Sequence, residues 1–212
     1  SGEKSKSIKA LEILYDNLLS AGIERDTVIY AYGGGVIGDL VGFAAATILR
    51  GVDYVQIPTT LLSQIDSSVG GKTAINSSFG KNLIGAFYQP KLVLIDIDTL
   101  SSLPQKQMKT GYAEMIKYAI INDIKFFEWL EKNGKNILSK NNEHLVEAIF
   151  KCVFSKAKIV SEDEKDKNKR TLLNLGHTFA HAFEKISNFN DITHGEAVSV
   201  GLVLATRLSY KL

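Results

Sequence analysis

Residues 27–58 read TVIYAYGGGVIGDLVGFAAATILRGVDYVQIP. TVIYAY is a run of β-branched, aromatic and small residues, the pattern of a buried strand. It ends in GGGVIGDL. LVGFAAATIL then reads as a helix of small residues closed by Gly51, and DYVQIP reads as a second strand. Strand, helix and strand in succession predict a parallel α/β sheet. Upstream, Ile8, Leu11, Leu14, Leu18 and Leu19 keep a helical period that Gly22 can stop, and KLVLID downstream reads as a third strand. TTLLSQIDSSVGGKTAIN connects the second strand toward the third and reads as loop. The character changes near residue 100. From Gly111 onward the periods are helical, with Val146, Ile149, Val153, Ala157 and Val160 forming one apolar stripe. The expectation is an incomplete Rossmann-like α/β domain over residues 1–100, followed by a helical domain over 101–212. A cleft between two such halves is a natural ligand site. Both ends read as cut, the first before a helix without a leading strand and the last in mid-helix.

The 212 residues are enough for a real core, and the net charge of +2 is too small to argue for nucleic acid or an anionic membrane. Cys152 is the sole cysteine, so no internal disulfide can form and a reducing cytoplasm fits. The N-terminal SGEKSKSIKALEIL lacks the apolar core of a signal peptide, and LVGFAAATIL is too short to span a bilayer. The expectation is a soluble cytoplasmic protein.

Gly33, Gly35 and Gly38 satisfy G-x-G-x-x-G between a strand and a helix. Missing Cβ atoms there would let backbone approach a pyrophosphate at a helix N-terminus; the alternative is a turn that needs glycine for packing. Asp53 has the spacing of a ribose-binding acid, but its strand does not read as the one that should carry it. Gly71-Lys72-Thr73 invites a P-loop reading, which fails because Asp66 stands where that motif needs glycine. Asp66 and Lys72 still mark a polar site or a loop ion pair. In GYAEMIKYAII, Glu114 and Lys117 lie three apart on a largely apolar helix. A buried carboxylate needs a cation, and either a metal or Lys117 can supply it. His144 sits among polar residues and reads as surface. His177 and His181 share a helix face, and His194 opens the next helix. Two imidazoles on one helix, one on its neighbour and a carboxylate make a zinc site possible. HTFAH is not the metalloprotease motif, since Thr178 stands where its glutamate would be.

Taken together, GGGVIGDL, IPTTLLSQIDSSVGGKTAIN, KNLIGAFYQP, AEMIKYAII, LNLGHTFAHAFE and HGEAVSVGL resemble, in order, the signature blocks of the 3-dehydroquinate synthases. The resemblance spans nearly the whole chain. It implies a lyase dependent on NAD and one divalent metal, zinc by preference. Such an enzyme converts 3-deoxy-D-arabino-heptulosonate 7-phosphate to 3-dehydroquinate and phosphate by oxidation, elimination, reduction, ring opening and aldol closure. The resemblance also implies a homodimer with a small sugar-phosphate substrate. Carried residue by residue, it places metal ligands at Glu114, His177 and His194. It places NAD contacts at Gly35, Gly38, Asp39, Thr59, Thr60, Lys72, Lys81 and Thr99. Catalytic positions fall on Asp66, Lys72, Lys117, Lys156, Asn174 and His181, and further substrate contacts on Asn82 and Arg170. Arg50 falls where family members lend an arginine across a dimer interface. Lys106-Gln107 replaces the family's Arg-Glu after the Leu-Pro turn. Asn168 stands where a glycine precedes the arginine of the LNLGH block, which is expected to stiffen the loop around Asp166. The alternatives are a sister sugar-phosphate cyclase, a metal-dependent polyol dehydrogenase of the same architecture, or a non-catalytic nucleotide-binding fragment. Intact anion-binding positions Lys156, Arg170 and Asn174 speak against the dehydrogenase. A chain without both ends is expected to bind zinc better than NAD and to turn over little.

Overall fold

A computed structural model describes residues 2–187 and 192–212. The chain forms two compact units, the first ending at Asp96 and the second beginning at Ile97.

The first unit opens with α1 (Ile8–Ser20), whose N-terminal amide at Ala10 is capped by the Ser7 hydroxyl at 3.2 Å. The stretch 27–58 folds as β1 (Val28–Gly33), α2 (Gly35–Thr47) and β2 (Asp53–Pro58). β1 and β2 run parallel in register from Val28 opposite Asp53 to Gly33 opposite Pro58. Ile29 and Ala31 point into a core with Ala45, Ile48, Val52 and Tyr54, while Tyr30 and Tyr32 point out. The helix starts earlier than the sequence pattern predicted. Gly35 and Gly38 lie within it, so only Gly33 and Gly34 make the turn.

Two readings of the first half need correction. KLVLID contributes only the short β5 (Leu92–Val93), parallel to β2. Past Val93 the Leu94 amide still donates to the Gln56 carbonyl at 2.9 Å, and the Asp96 carbonyl accepts the Gln64 side-chain amide at 2.9 Å. The segment read as loop holds half of an antiparallel hairpin, β3 (Lys72–Ser77) and β4 (Gly80–Phe87). Glycines and polar residues concealed its alternation, in which Thr73 and Ile75 are the buried positions. A register shift between Ile75 and Ser77 lets the Asn82 amide bond the Asn76 side chain at 2.9 Å.

The second unit is helical: α3 (Gln105–Asn122), α4 (Ile124–Leu138), α5 (Asn142–Glu162), α6 (His177–Ile186) and α7 (His194–Lys211). The predicted stripe on α5 is also corrected. Leu145, Ala148, Ile149, Cys152, Lys156, Ile159 and Val160 face inward, and Val146 is 53% exposed. The buried face lies about one residue off the run of valines, because it includes a lysine that an apolar period cannot reveal. No helix among the described residues is long and apolar enough to cross a membrane.

Candidate active site

Three helices of the second unit meet where their backbones approach closely. Gly195, in the first turn of α7, faces the backbone of Thr110 on α3. A Cβ at Gly195 would lie 2.8 Å from the Thr110 carbonyl oxygen. Gly176, the residue before α6, has a φ of 79° and is packed on α7, where a Cβ would lie 2.7 Å from the Leu202 amide. Both positions therefore require glycine, Gly176 for conformation as well as space. Thr193 and Glu196 form a reciprocal cap on α7: the Thr193 amide donates to Glu196 Oε2 at 2.7 Å, and the Glu196 amide donates to Thr193 Oγ1 at 3.3 Å. This cap fixes the turn that carries His194.

The result is a convergence of Glu114 from α3, His177 from α6 and His194 from α7. One donor atom from each lies within 4.8 Å of the others. Glu114 is fully buried. Its Oε2 pairs with Lys117, while Oε1 lies 3.6 Å from His177 Nε2 and 3.2 Å from His194 Nε2. Each imidazole has its other nitrogen committed. His177 Nδ1 lies 3.2 Å from the Leu175 carbonyl oxygen, and His194 Nδ1 lies 3.0 Å from Glu184 Oε1. Those acceptors favour a proton on Nδ1 and leave Nε2 of each ring facing the Glu114 oxygen, open to a proton or a cation. One carboxylate oxygen and two imidazole nitrogens form a donor set that fits zinc.

The charges are arranged unequally. Burial lowers the His177 pKa, with Glu114 opposing and Lys117 reinforcing the shift. Burial also penalises charge on His194, but the Glu114 and Glu184 carboxylates outweigh it and raise its pKa. A cation entering here competes with a proton on His194. His181 is exposed and meets the His177 ring edge-on, with centroids 5.6 Å apart; it is not a member of the three-donor set. Lys156 and Arg170 are buried, Arg170 donating from Nη1 to the Glu164 carbonyl at 2.6 Å, and Asn174 is exposed.

In the first unit the glycines of the turn are close-packed. A Cβ on Gly34 would lie 3.0 Å from Thr60 Cγ2, and one on Gly38 would lie 2.9 Å from Gln56 Oε1. The packing reason for glycine therefore holds whatever else the helix N-terminus does. Thr59 and Thr60 follow β2, Asp66 sits in a π-turn (Ser63–Ser67), Lys72 opens β3, and Lys81 and Asn82 lie on β4. Asn82 has a φ of 56°, a conformation asparagine tolerates. Arg50 is exposed and follows Leu49 in a turn where both have positive φ, 69° and 49°. Thr99 belongs to the second unit, in a 3-10 turn (Ile97–Ser102).

Three residues escaped the sequence reading. Lys6 is buried, and its Nζ donates to Asp39 Oδ2 and Asn82 Oδ1, each at 2.5 Å. No local pattern marks a lysine that joins elements so distant in the chain. Asp163 organises the backbone of the loop before Arg170. Its carboxylate accepts the amides of Lys167, Asn168 and Arg170. Asn168 has a φ of −141°, and its amide donates to Asp163 Oδ2 at 2.6 Å. The third is Glu184, whose signal was available: it lies seven residues after His177, on the same helix face.

The family model described as 3-dehydroquinate synthase N-terminal matches residues 1–110, and that described as 3-dehydroquinate synthase C-terminal matches residues 111–212. A 3-dehydroquinate synthase of Caulobacter vibrioides is 55% identical over 212 residues, all of this chain and 57% of the relative. A 2-epi-5-epi-valiolone synthase from Streptomyces hygroscopicus, solved with NAD+ and Zn2+, superposes with a TM-score of 0.89 at 29% identity over 96% of this chain and 57% of that one. A 2-deoxy-scyllo-inosose synthase solved with carbaglucose-6-phosphate, NAD+ and Co2+ gives 0.88 at 35% identity, over 99% of this chain and 58% of that one. The chain thus spans somewhat more than half the length of the proteins it matches.

Proposed function

The chain belongs to the 3-dehydroquinate synthase family, and from that premise we propose that it serves the conversion of 3-deoxy-D-arabino-heptulosonate 7-phosphate to 3-dehydroquinate and phosphate. The observation that carries the reading is the convergence of Glu114, His177 and His194 on one point, with both imidazole Nε2 atoms turned toward a buried carboxylate. That set would hold one divalent ion, zinc by preference. The turn at Gly34 and the N-terminus of α2, with Asp39, Thr59, Thr60, Lys72, Lys81 and Thr99, would hold NAD. When bound, the ion supplies Lewis acidity toward neighbouring hydroxyls and NAD supplies a reversible hydride acceptor.

The chain's own residues do the rest. Lys156 and Arg170 offer positive charge to a substrate bearing a carboxylate and a phosphate, and Asn174 offers an uncharged hydrogen-bonding group. His181 is exposed, one turn from a ligand position, and can reach substrate without joining the donor set. Lys117 pairs with the buried Glu114 carboxylate and offsets its charge. Asp66, Lys72 and Asn82 complete the polar contacts to substrate. Arg50, projected from its positive-φ turn, is lent to the partner of a homodimer. The enzyme works in the cytoplasm. The 212-residue chain by itself, matching 57% of the Caulobacter relative, holds zinc better than NAD and turns over little.

Incubation with the heptulosonate phosphate, NAD and zinc tests the reading. Phosphate and 3-dehydroquinate are expected to form slowly and in equal amounts, with no net NADH. NADH accumulating from a simple polyol would overturn the lyase in favour of a dehydrogenase. Turnover in the ordinary enzymatic range of about 1–1,000 per second would overturn the claim that the isolated chain is weak.

A further inference from the structure

We infer that Glu184 is a positioning residue for the metal centre: it holds His194 in the tautomer and orientation that present Nε2 to the ion. The inference rests on the reading of Glu114, His177 and His194 as ligands. It goes beyond that reading by giving a buried acid outside the ligand set a definite task.

Glu184 is only 8% exposed, though it lies near the C-terminal end of α6. A glutamate so buried needs a partner to offset its desolvation. Its Oε1 lies 3.0 Å from His194 Nδ1, across the interface of α6 with α7. His194 is the first residue of α7 and has no preceding helical turn to brace its ring. His177, by contrast, is oriented locally by the carbonyl of Leu175, two residues back. The two imidazoles thus solve one problem differently. One uses its own backbone, and the other borrows a carboxylate from the helix that carries the first. A carboxylate is the stronger acceptor, and it makes the bonded imidazole more basic toward a metal. Because α6 carries both His177 and Glu184, one rigid element sets the position of one ligand and the orientation of the other.

A bland role is available, since Glu184 could serve only to tie α6 to α7. The two roles separate in measurement. Zinc affinity of the full 212-residue chain is measured by competition with a chromophoric chelator, for wild type, Glu184→Gln and Glu184→Ala. Cobalt(II) substitution reports ligand geometry through its visible absorption, and circular dichroism confirms that each variant is folded. Wild type is expected to bind one zinc. Glu184→Ala should weaken binding by about 10–100-fold and alter the cobalt spectrum. Glu184→Gln keeps the shape and one neutral acceptor, so it should fall between the two. Variants that bind zinc as tightly as wild type with an unchanged cobalt spectrum overturn the inference, even if they melt earlier. Should Glu184→Ala fail to fold, the isosteric Glu184→Gln decides: unchanged affinity and spectrum refute, weakened affinity and a shifted spectrum support. A wild-type chain that binds no stoichiometric zinc would instead sink the ligand assignment itself.

Discussion

Glu114 and Lys117 form an ion pair whose side chains are 0% and 2% exposed, so removing one charge leaves the other deep in protein. Glu114→Gln keeps the side chain's shape and deletes the charge that Lys117 faces. Breaking a buried pair in this way costs about 3–5 kcal/mol. At about 2–4 °C per kcal/mol for a chain of this size, the melting point should fall by roughly 6–20 °C. Replacing both residues, as in Glu114→Leu with Lys117→Met, removes the stranded charge and should restore stability to within about 1–2 kcal/mol of wild type, or above it. The assay is urea unfolding in the presence of EDTA, so that metal binding does not add to the wild-type value by mass action. A parallel series with zinc should stabilise the wild type alone, by about 2.7 kcal/mol at a hundredfold excess over the dissociation constant. Glu114→Gln within 1 kcal/mol of wild type, or a double variant no better than the single one, would refute a fully desolvated pair.

Gly195→Ala places a methyl group against the Thr110 backbone and should cost about 1–3 kcal/mol by overpacking, with zinc affinity falling because His194 moves away from Glu114; calorimetry and chelator competition check both. The Asp163 carboxyl is held below its ordinary value by the backbone amides of Lys167, Asn168 and Arg170. Its contribution is present above the unfolded value of 3.8 and is lost as pH falls through the lower folded value. Protection of the amides of Lys167, Asn168 and Arg170, relative to their intrinsic exchange rates, should therefore fall in that acid window in wild type and already be absent at neutral pH in Asp163→Ala. Lys6→Met removes two charge-assisted contacts, to Asp39 and Asn82, and should destabilise the first unit by about 1.5–3 kcal/mol in urea unfolding followed by the tyrosine signal.

Much of the fold was legible because it is local. Ile29 and Ala31 alternate with Tyr30 and Tyr32, and that alternation survives in β1 as burial and exposure. What escaped was set by distant partners. The β3–β4 hairpin hides among glycines such as Gly85, which is needed because β3 passes directly beside it. The inward face of α5 is misread because Lys156 belongs to it and Val146 does not. At the site, His177, His181 and His194 could be singled out by residue type and helical spacing, yet spacing alone could not say which nitrogens converge. That depends on the close crossings at Gly176 and Gly195, and on Glu184, which reaches His194 from another helix. Lys6 was invisible for the same reason: its partners lie 33 and 76 residues away.

The most direct test of the metal centre is an anomalous difference map at the zinc edge from crystals of the chain grown with one equivalent of zinc. The expected result is a single dominant peak about 2.0–2.1 Å from Nε2 of both His177 and His194 and about 2.0–2.2 Å from a Glu114 oxygen. A map with no peak among these three side chains, or with the ion held elsewhere, would contradict the assignment.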